Sequence, residues 1–352
     1  MQEDPPPAPA GRATDRGERC PSCGSRPHWE PRFQQAFPDH FVTADEHVSA
    51  FPLSEPAPVA AWLMAACDVC GAVSPRPYPS RSAVEGYYAD AAEPSEWEVD
   101  HYVRLDRNPK ALAGADRMAR QLTRLAGGPA SLLEVGCAAG WVLRAGRDRG
   151  WKVKGVEAAP KFSGFAREHL GLDVFAGRVD HIRVSEWPAF DVIIGFDVFE
   201  HLYDPAADLA TLRQLVAPHG WLVFTTPNIE SWCARRYGLR WRQIVVSHLN
   251  YSTPRSIARI LHRSGWRLER ISEPRYWDPN PLVELCNRAV EVGKFGLRRL
   301  LAPAVAAGEG DEAVRRLPAQ ITAGHVTWND VSFRVGTQAV LGDVMLVVAR
   351  PA

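Results

Sequence analysis

Between residues 131 and 225 four short apolar runs recur with longer stretches between them, an alternation that restricts this part of the chain to a parallel sheet with crossover helices. The runs are Ser131–Gly136, Lys152–Glu157, Asp191–Phe196 and Trp221–Thr225, with a weaker one near Asp173–Ala176. Trp141–Arg149, Pro160–His169 and Pro205–Val216 are read as the helices between them. Upstream, a helix is expected from Pro109 to Leu125, with Pro in its first turn and Gly127-Gly128 to stop it. Downstream, Thr253-Pro254 reads as an N-cap followed by Pro at the first helical position, opening a helix to Ser264 that Gly265 ends. Two further strands are expected near Trp266–Ser272 and Asp343–Arg350.

The chain has 352 residues, 46% of them hydrophobic, so it can bury a sizeable core and is long for one compact domain. No run reaches the roughly 18 apolar residues of a membrane helix; the best candidate, Val59–Val73, is shorter and contains Asp68 and two cysteines. The first residues are acidic and proline-rich and lack the basic-then-apolar order of a signal peptide, so a cytoplasmic location is expected. Net charge is zero, yet residues 1–100 hold seven Arg, no Lys and sixteen acidic residues, a net of −9 balanced by +9 in the rest. An acidic N-terminal part is a poor partner for a phosphate backbone, which argues against nucleic acid.

Four of the seven cysteines form two matching knuckles, Cys20-Pro-Ser-Cys23-Gly24 and Cys67-Asp-Val-Cys70-Gly71. A two-residue gap lets both thiolates of a pair reach one ion, and the following Gly relieves the tight turn. Four thiolates suit tetrahedral zinc and leave no open position, so the expected site is structural. The alternatives are four unrelated buried cysteines or a redox pair; redox chemistry calls for a strand-to-helix context that neither pair has. His28, His40 and His47, in the spacer between the knuckles, are read as surface residues.

The run Glu134-Val-Gly136-Cys137-Ala138-Ala-Gly140-Trp141 follows a strand and opens a helix, where Gly lets the backbone approach a ligand and the helix start offers free N–H groups. A dinucleotide fingerprint does not fit, because Ala138 and Trp141 take its second and third glycine positions. About twenty residues on, Glu157 ends the next strand, where a carboxylate can accept both ribose hydroxyls of a nucleoside. The bland reading of Glu157 is a surface charge at a strand end.

These residues fit E-x-G-x-G-x-G, with Ala138 in place of one Gly, and so resemble the first motif of class I S-adenosylmethionine-dependent methyltransferases. Phe190–Pro205, containing Glu200-His201, resembles the fourth-strand motif of the ubiquinone-pathway-like members. Thr226-Pro-Asn228, Trp241 and the segment His248-Leu-Asn-Tyr251-Ser252 resemble the same group. The cysteine module with Pro75-Arg-Pro77 and Tyr87-Tyr88 looks like the zinc-binding leader of some relatives, including sugar C-methyltransferases, although the C-terminal domain typical of those is not evident. The resemblance implies an α/β, Rossmann-like, seven-stranded, mostly parallel sheet with helices on both faces, plus a small zinc-ribbon-like module. It divides the chain into a disordered tail (1–18), a zinc module (19–80), a helical linker or lid (81–126), a core (127–275 with 335–352) and a partly helical insertion (276–334). It implies S-adenosylmethionine as cofactor, held by Glu134, Gly136, Cys137, Ala138, Gly140, Trp141 and Glu157, with Phe196, Asp197 and Tyr88.

Methyl transfer is an in-line displacement, so the protein must mainly align nucleophile and methyl, with a base needed only where the acceptor loses a proton. His201, just past the fourth strand, and His248 and Tyr251, in the later segment, are the candidates for that base. Each can equally be scaffolding. Arg235, Arg236, Arg240 and Arg242 could hold an acidic group of the acceptor or form a solvated face, and Trp232, Tyr237 and Trp241 could wall the pocket. The expected activity is methylation of a small molecule, a specialised metabolite or sugar precursor. The alternatives are methylation of RNA or protein recognised by the zinc module, and a non-catalytic scaffold that binds cofactor or partner.

Overall fold

The computed structural model describes residues 19–36, 61–76, 78–79, 81, 103–104, 109–238, 241, 243–245, 247–274, 324–328, 331–335 and 342–352. The expected tail 1–18, Tyr87, Tyr88, His40, His47, Arg240, Arg242 and most of 276–334 lie outside the described residues.

Two sheets are present among the described residues. The smaller is antiparallel, in the order β1 (Trp29–Ala36), β2 (Ala61–Cys67), β3 (Val73–Arg76). The larger is built on β4 (Ser131–Val135), β5 (Lys152–Glu157), β6 (Val174–Ala176), β7 (Phe190–Gly195) and β8 (Val216–Pro227), joined in parallel as β8-β7-β4-β5-β6. Beyond β8 it is completed by β12 (Val344–Pro351), antiparallel to both β8 and β9 (Trp266–Ser272). Helix α1 (Pro109–Ala126) precedes β4, and the helices of the crossovers are α2 (Trp141–Arg147), α3 (Pro160–Glu168) and α4 (Pro205–Leu215). The short α5 (Trp232–Tyr237) and then α6 (Pro254–Arg263) follow β8.

The apolar runs become strands because the middle of a parallel sheet is covered on both faces. Four of the five β4 residues and five of the six β7 residues are buried. One face packs Leu133, Ile193, Leu212, Leu222 and Ile257 into a common cluster. The other packs Leu132, Leu143, Val192, Ile194 and Val223. Helix α6 starts as its sequence indicates: Thr253 accepts the Ser256 N–H, Ser256 returns the bond to the Thr253 N–H, and Pro254 fills the first turn.

The expected seven strands are there, and the large sheet extends to nine among the described residues. The extra two are β10 (Gly324–Trp328) and β11 (Val331–Val335), an antiparallel hairpin whose second strand pairs with β9 through Arg334 and Val335. Strand β9 would otherwise be an open edge, and the hairpin supplies partners for its backbone. Within the stretch read as a partly helical insertion, residues 324–328 and 331–334 are strand.

Ile193 is fully buried in β7. Ile193→Ala should lower the unfolding free energy by about 2–5 kcal/mol, seen as a lower urea midpoint at unchanged slope.

Candidate cofactor, acceptor and metal sites

The sheet order brings the carboxyl ends of β4, β5 and β7 side by side, and the loop after β4 turns there. Gly136 adopts φ +65°, and a Cβ on it would stand 2.2 Å from Val198 Cγ2, so no other side chain fits without a shift. The N–H groups of Gly136 and Cys137 donate to Val156 O at 2.8 and 3.2 Å. Ala138, where the motif has Gly, still takes a left-handed φ of +46°. Its N–H donates to Glu157 Oε2 at 2.8 Å, while Glu157 Oε1 accepts the Ala159 N–H at 2.8 Å. Glu157 thus braces the cofactor loop and keeps further lone pairs for a ligand. Burial raises its carboxyl above the ordinary range, against the pull of these N–H groups.

Glu134 is buried in β4, and its Oε2 has no hydrogen-bond partner among the described residues. Burial first, and the Glu157 charge second, hold its carboxyl well above the usual range. A buried and a half-buried carboxyl group with spare acceptor capacity, beside a loop held open by left-handed residues, fit a ligand that carries hydroxyl and cationic groups. Cys137 and Trp141 are buried, and Phe196 packs partly buried at the end of β7. Asp197 has φ +54°, fixed by Thr225, whose hydroxyl accepts the Asp197 N–H and donates to Oδ1, both at 2.8 Å. The sequence reading passed over Thr225, although a hydroxyl residue ending β8 beside that loop was visible in Phe224-Thr225-Thr226.

On the acceptor side three residues converge. His201 Nδ1 lies 3.0 Å from Ser247 O and His248 Nδ1 lies 2.8 Å from Gln243 O. A carbonyl oxygen only accepts, so both imidazoles carry hydrogen on Nδ1 and leave Nε2 as a lone pair. The rings stand edge to face, 4.7 Å apart. The Glu200 carboxylate is buried, with Oε1 3.9 Å from His248 Nε2 and Oε2 without a hydrogen bond among the described residues. Burial, reinforced by Asp197, pushes the Glu200 carboxyl well above its usual range. Burial likewise lowers His201 to about 4, and lowers His248 well below the ordinary imidazole range with a contribution from His201. Both histidines are therefore neutral at working pH, but neither has the near-neutral pKa that the sequence argument used.

Tyr251 is fully buried, and its hydroxyl accepts the Val245 N–H at 3.3 Å. Its ring packs against His248 and Trp241, and Trp241 Nε1 donates to Asp343 Oδ1 at 2.9 Å. These contacts pack Tyr251 against both Trp241 and His248. Arg235 lies in α5 beside Glu230, whose carboxyl burial raises to about 6; Arg236 is exposed, and Trp232 is 47% exposed.

The cysteine knuckles fold as two copies of one turn. Gly24 N–H donates to Cys20 O and Gly71 N–H to Cys67 O, each at 2.8 Å, with φ of +71° and +77° at the two glycines. Pairing of β1 with β2 carries the chain back across the long spacer and sets the turns face to face. The Sγ atoms of Cys20 and Cys70 are 3.6 Å apart, as are those of Cys23 and Cys67, and all four lie within 4.8 Å of one another. Tetrahedral zinc with bonds of about 2.3 Å needs sulfurs about 3.8 Å apart, so the donor set fits. Arg76, stacked 3.4 Å over the Trp29 ring, is held down to about 10 by burial, against the opposing pull of Tyr78, Cys20 and Cys67. It supplies a cation beside the thiolates. His28 is exposed and outside this cluster.

Residues 107–271 match a family model described as a methyltransferase domain. The ubiquinone biosynthesis O-methyltransferase of Thiobacillus denitrificans is 27% identical over 166 residues, which cover 44% of this chain and 70% of that protein. The protein of the same name from Nitrobacter winogradskyi is 31% identical over 165 residues, 43% of this chain and 60% of its own. A TehB-like S-adenosylmethionine-dependent methyltransferase from Corynebacterium glutamicum is a solved structure 14% identical, covering 77% of this chain and 100% of its own with a TM-score of 0.42. Residues 107–271 form a class I S-adenosylmethionine-dependent methyltransferase domain, and the chain is a methyltransferase enzyme. Among the described residues no helix is long and apolar enough to cross a membrane.

The folded pKa of about 4 for His201, against 6.5 unfolded, means that the folded state binds fewer protons between those values. Stability that depends on neutral His201 is complete above pH 6.5 and is lost as pH falls towards 4. Urea midpoints should therefore drop further from pH 7 to about 4.5 in the wild type than in His201→Asn; equal drops would contradict the assignment.

Proposed function

We propose that the enzyme methylates a small-molecule acceptor bound at the carboxyl edge of the sheet, between the β7 turn and the segment 241–253, and that the cysteine module holds one structural zinc ion. The observation that carries the acceptor site is the meeting of Glu200, His201 and His248, each with one ligating atom within 4.8 Å of the others, where both imidazoles spend Nδ1–H on a backbone carbonyl and leave Nε2 as an acceptor. Such a trio is complementary to a donor, the O–H or N–H of a nucleophile that gives up its proton as it is methylated. The relatives named above, which act in ubiquinone biosynthesis, favour a small acceptor over RNA or protein. The acidic balance of residues 1–100 supports the same preference.

When bound, S-adenosylmethionine supplies an electrophilic methyl group. Glu157 is suited to accept the ribose hydroxyls, and Gly136, Ala138 and Gly140 let the backbone close on the ligand, with Glu134, Cys137 and Trp141 beneath. Phe196 and Asp197 border the same loop from β7. His201 and His248, kept neutral by burial, would hold the O–H or N–H of the nucleophile and accept its proton, with Glu200 close by. Groups held this far below neutral are weak bases, so alignment is the larger part of their contribution. Tyr251 shapes the wall. The free thiols of the metal module fit a reducing compartment such as the cytoplasm.

Glu157→Ala should weaken S-adenosylhomocysteine binding by about tenfold or more, or about 1.4 kcal/mol, because it removes both a ribose partner and the brace on Ala138. Calorimetry giving wild-type affinity would take Glu157 out of the site. Metal analysis of the purified chain should find one zinc ion per chain, and little in the Cys67→Ser/Cys70→Ser variant; equal contents would remove the zinc assignment.

A further inference from the structure

The second cysteine knuckle is bonded to the stretch of chain that carries the acceptor-side residues, and the first to the end of the helix that follows that stretch. Val73, just past the second knuckle, exchanges two backbone hydrogen bonds with Tyr251, each 2.9 Å. The Thr253 hydroxyl donates to Cys70 O at 2.8 Å while accepting the Ser256 N–H at 3.0 Å, so one oxygen both caps α6 and ties it to a metal-ligand turn. Gly71 approaches so closely that a Cβ there would stand 3.2 Å from Thr253 Cγ2. From the last turn of α6, Arg263 Nη1 donates to Ser22 O in the first knuckle at 3.0 Å. Tyr251 and Thr253 are fully buried beneath these ties.

The opposite side of the same stretch is fixed to the β7 turn. Leu249 and Asn250 N–H groups donate to Glu200 O at 2.8 and 3.0 Å, and Asn250 Nδ2 donates to Leu202 O at 2.7 Å. Residues 248–253 are thus a strap held between the β7 turn and the knuckles. The side-chain hydrogen bonds of His248 and Tyr251 given above run to Gln243 and Val245, just before the strap, and His248 Nε2 lies 3.9 Å from Glu200 Oε1. Among the described residues the apolar cluster at the knuckles is the ligand set itself, Cys20, Cys67, Cys70 and Ala72 with Cys23, Trp29 and Val69 against it, at one end of the three-stranded sheet. A module whose core is its ligand set depends on the ion for its fold.

We infer that the zinc module is a wall of the acceptor site: its knuckles position His248 and Tyr251 through Thr253, Val73 and Arg263, and zinc occupancy governs acceptor binding separately from cofactor binding. Thr253 and Arg263 are positioning residues. The inference rests on the proposed zinc and acceptor sites. The cofactor loop is held from elsewhere, by Val156 and Glu157. Loss of zinc should therefore free the strap while the loop keeps its ligand.

The test needs no knowledge of the acceptor. Hydrogen exchange of the full chain is followed with zinc bound and after chelation, alongside calorimetry with S-adenosylhomocysteine. Chelation should speed exchange of the amides in 249–253 by about tenfold or more, with β4 and β7 still protected and cofactor affinity changed by less than about threefold. Zinc-loaded Thr253→Val and Arg263→Ala should show the same local loss with full zinc content, and Thr253→Ser, which keeps the donor, should restore protection. Unchanged protection of 249–253 in zinc-free protein and in both variants would overturn the inference while leaving the proposed function standing. So would loss of protection throughout the sheet together with cofactor affinity, since the module would then serve general stability. A purified chain without zinc would overturn both.

Discussion

Everything at the site depends on β4 lying buried between β5 and β7 with all three strands parallel. Parallel pairing sends the three carboxyl ends to one edge, and burial on both faces leaves the chain no direction but outward when β4 ends. The loop that turns there is then stitched to β5 rather than to its own strand: Gly136 and Cys137 bond to Val156 O, and Ala138 bonds to the Glu157 carboxylate. One acidic side chain fixes the loop and, in the proposed site, faces the ligand. Ala138 is held in a left-handed conformation that costs roughly 1–2 kcal/mol in a non-glycine residue. The Glu157 bond offsets that cost.

The same edge concentrates groups that burial keeps uncharged or poorly satisfied. Glu134 and Glu200 are raised, and His201 and His248 are lowered. In each case loss of water is the first cause. With both Nδ1 hydrogens spent on backbone carbonyls, the imidazoles can offer a ligand only lone pairs. In the proposed acceptor site that tautomer calls for an incoming group that donates a hydrogen bond.

Legibility in the sequence followed the range of the interaction. The central strands were readable because a strand buried on both faces must be an apolar run. The knuckles were readable because two thiolates on one ion demand close spacing, and the start of α6 because Thr253, Pro254 and Ser256 act within one turn. Sequence could not show that burial would take His201 and His248 far from the ordinary imidazole range, because the groups that desolvate them come from three separate stretches. It gave Tyr251 as an acid–base candidate, but the hydrogen bond of its hydroxyl to Val245 is set by the fold. The bonds of Val73 to Tyr251 and of Cys70 to Thr253 left no trace either, since backbone groups are present in every residue. The β10–β11 hairpin is in the same position: its partner, β9, is more than fifty residues away.

The most direct test of this account is a crystal structure of the full chain with S-adenosylhomocysteine bound. The account predicts ribose hydroxyls on the Glu157 carboxylate, and the sulfur turned towards the Nε2 atoms of His201 and His248 across an open acceptor space. Ribose held elsewhere, or a sulfur facing away from both imidazoles, would contradict it.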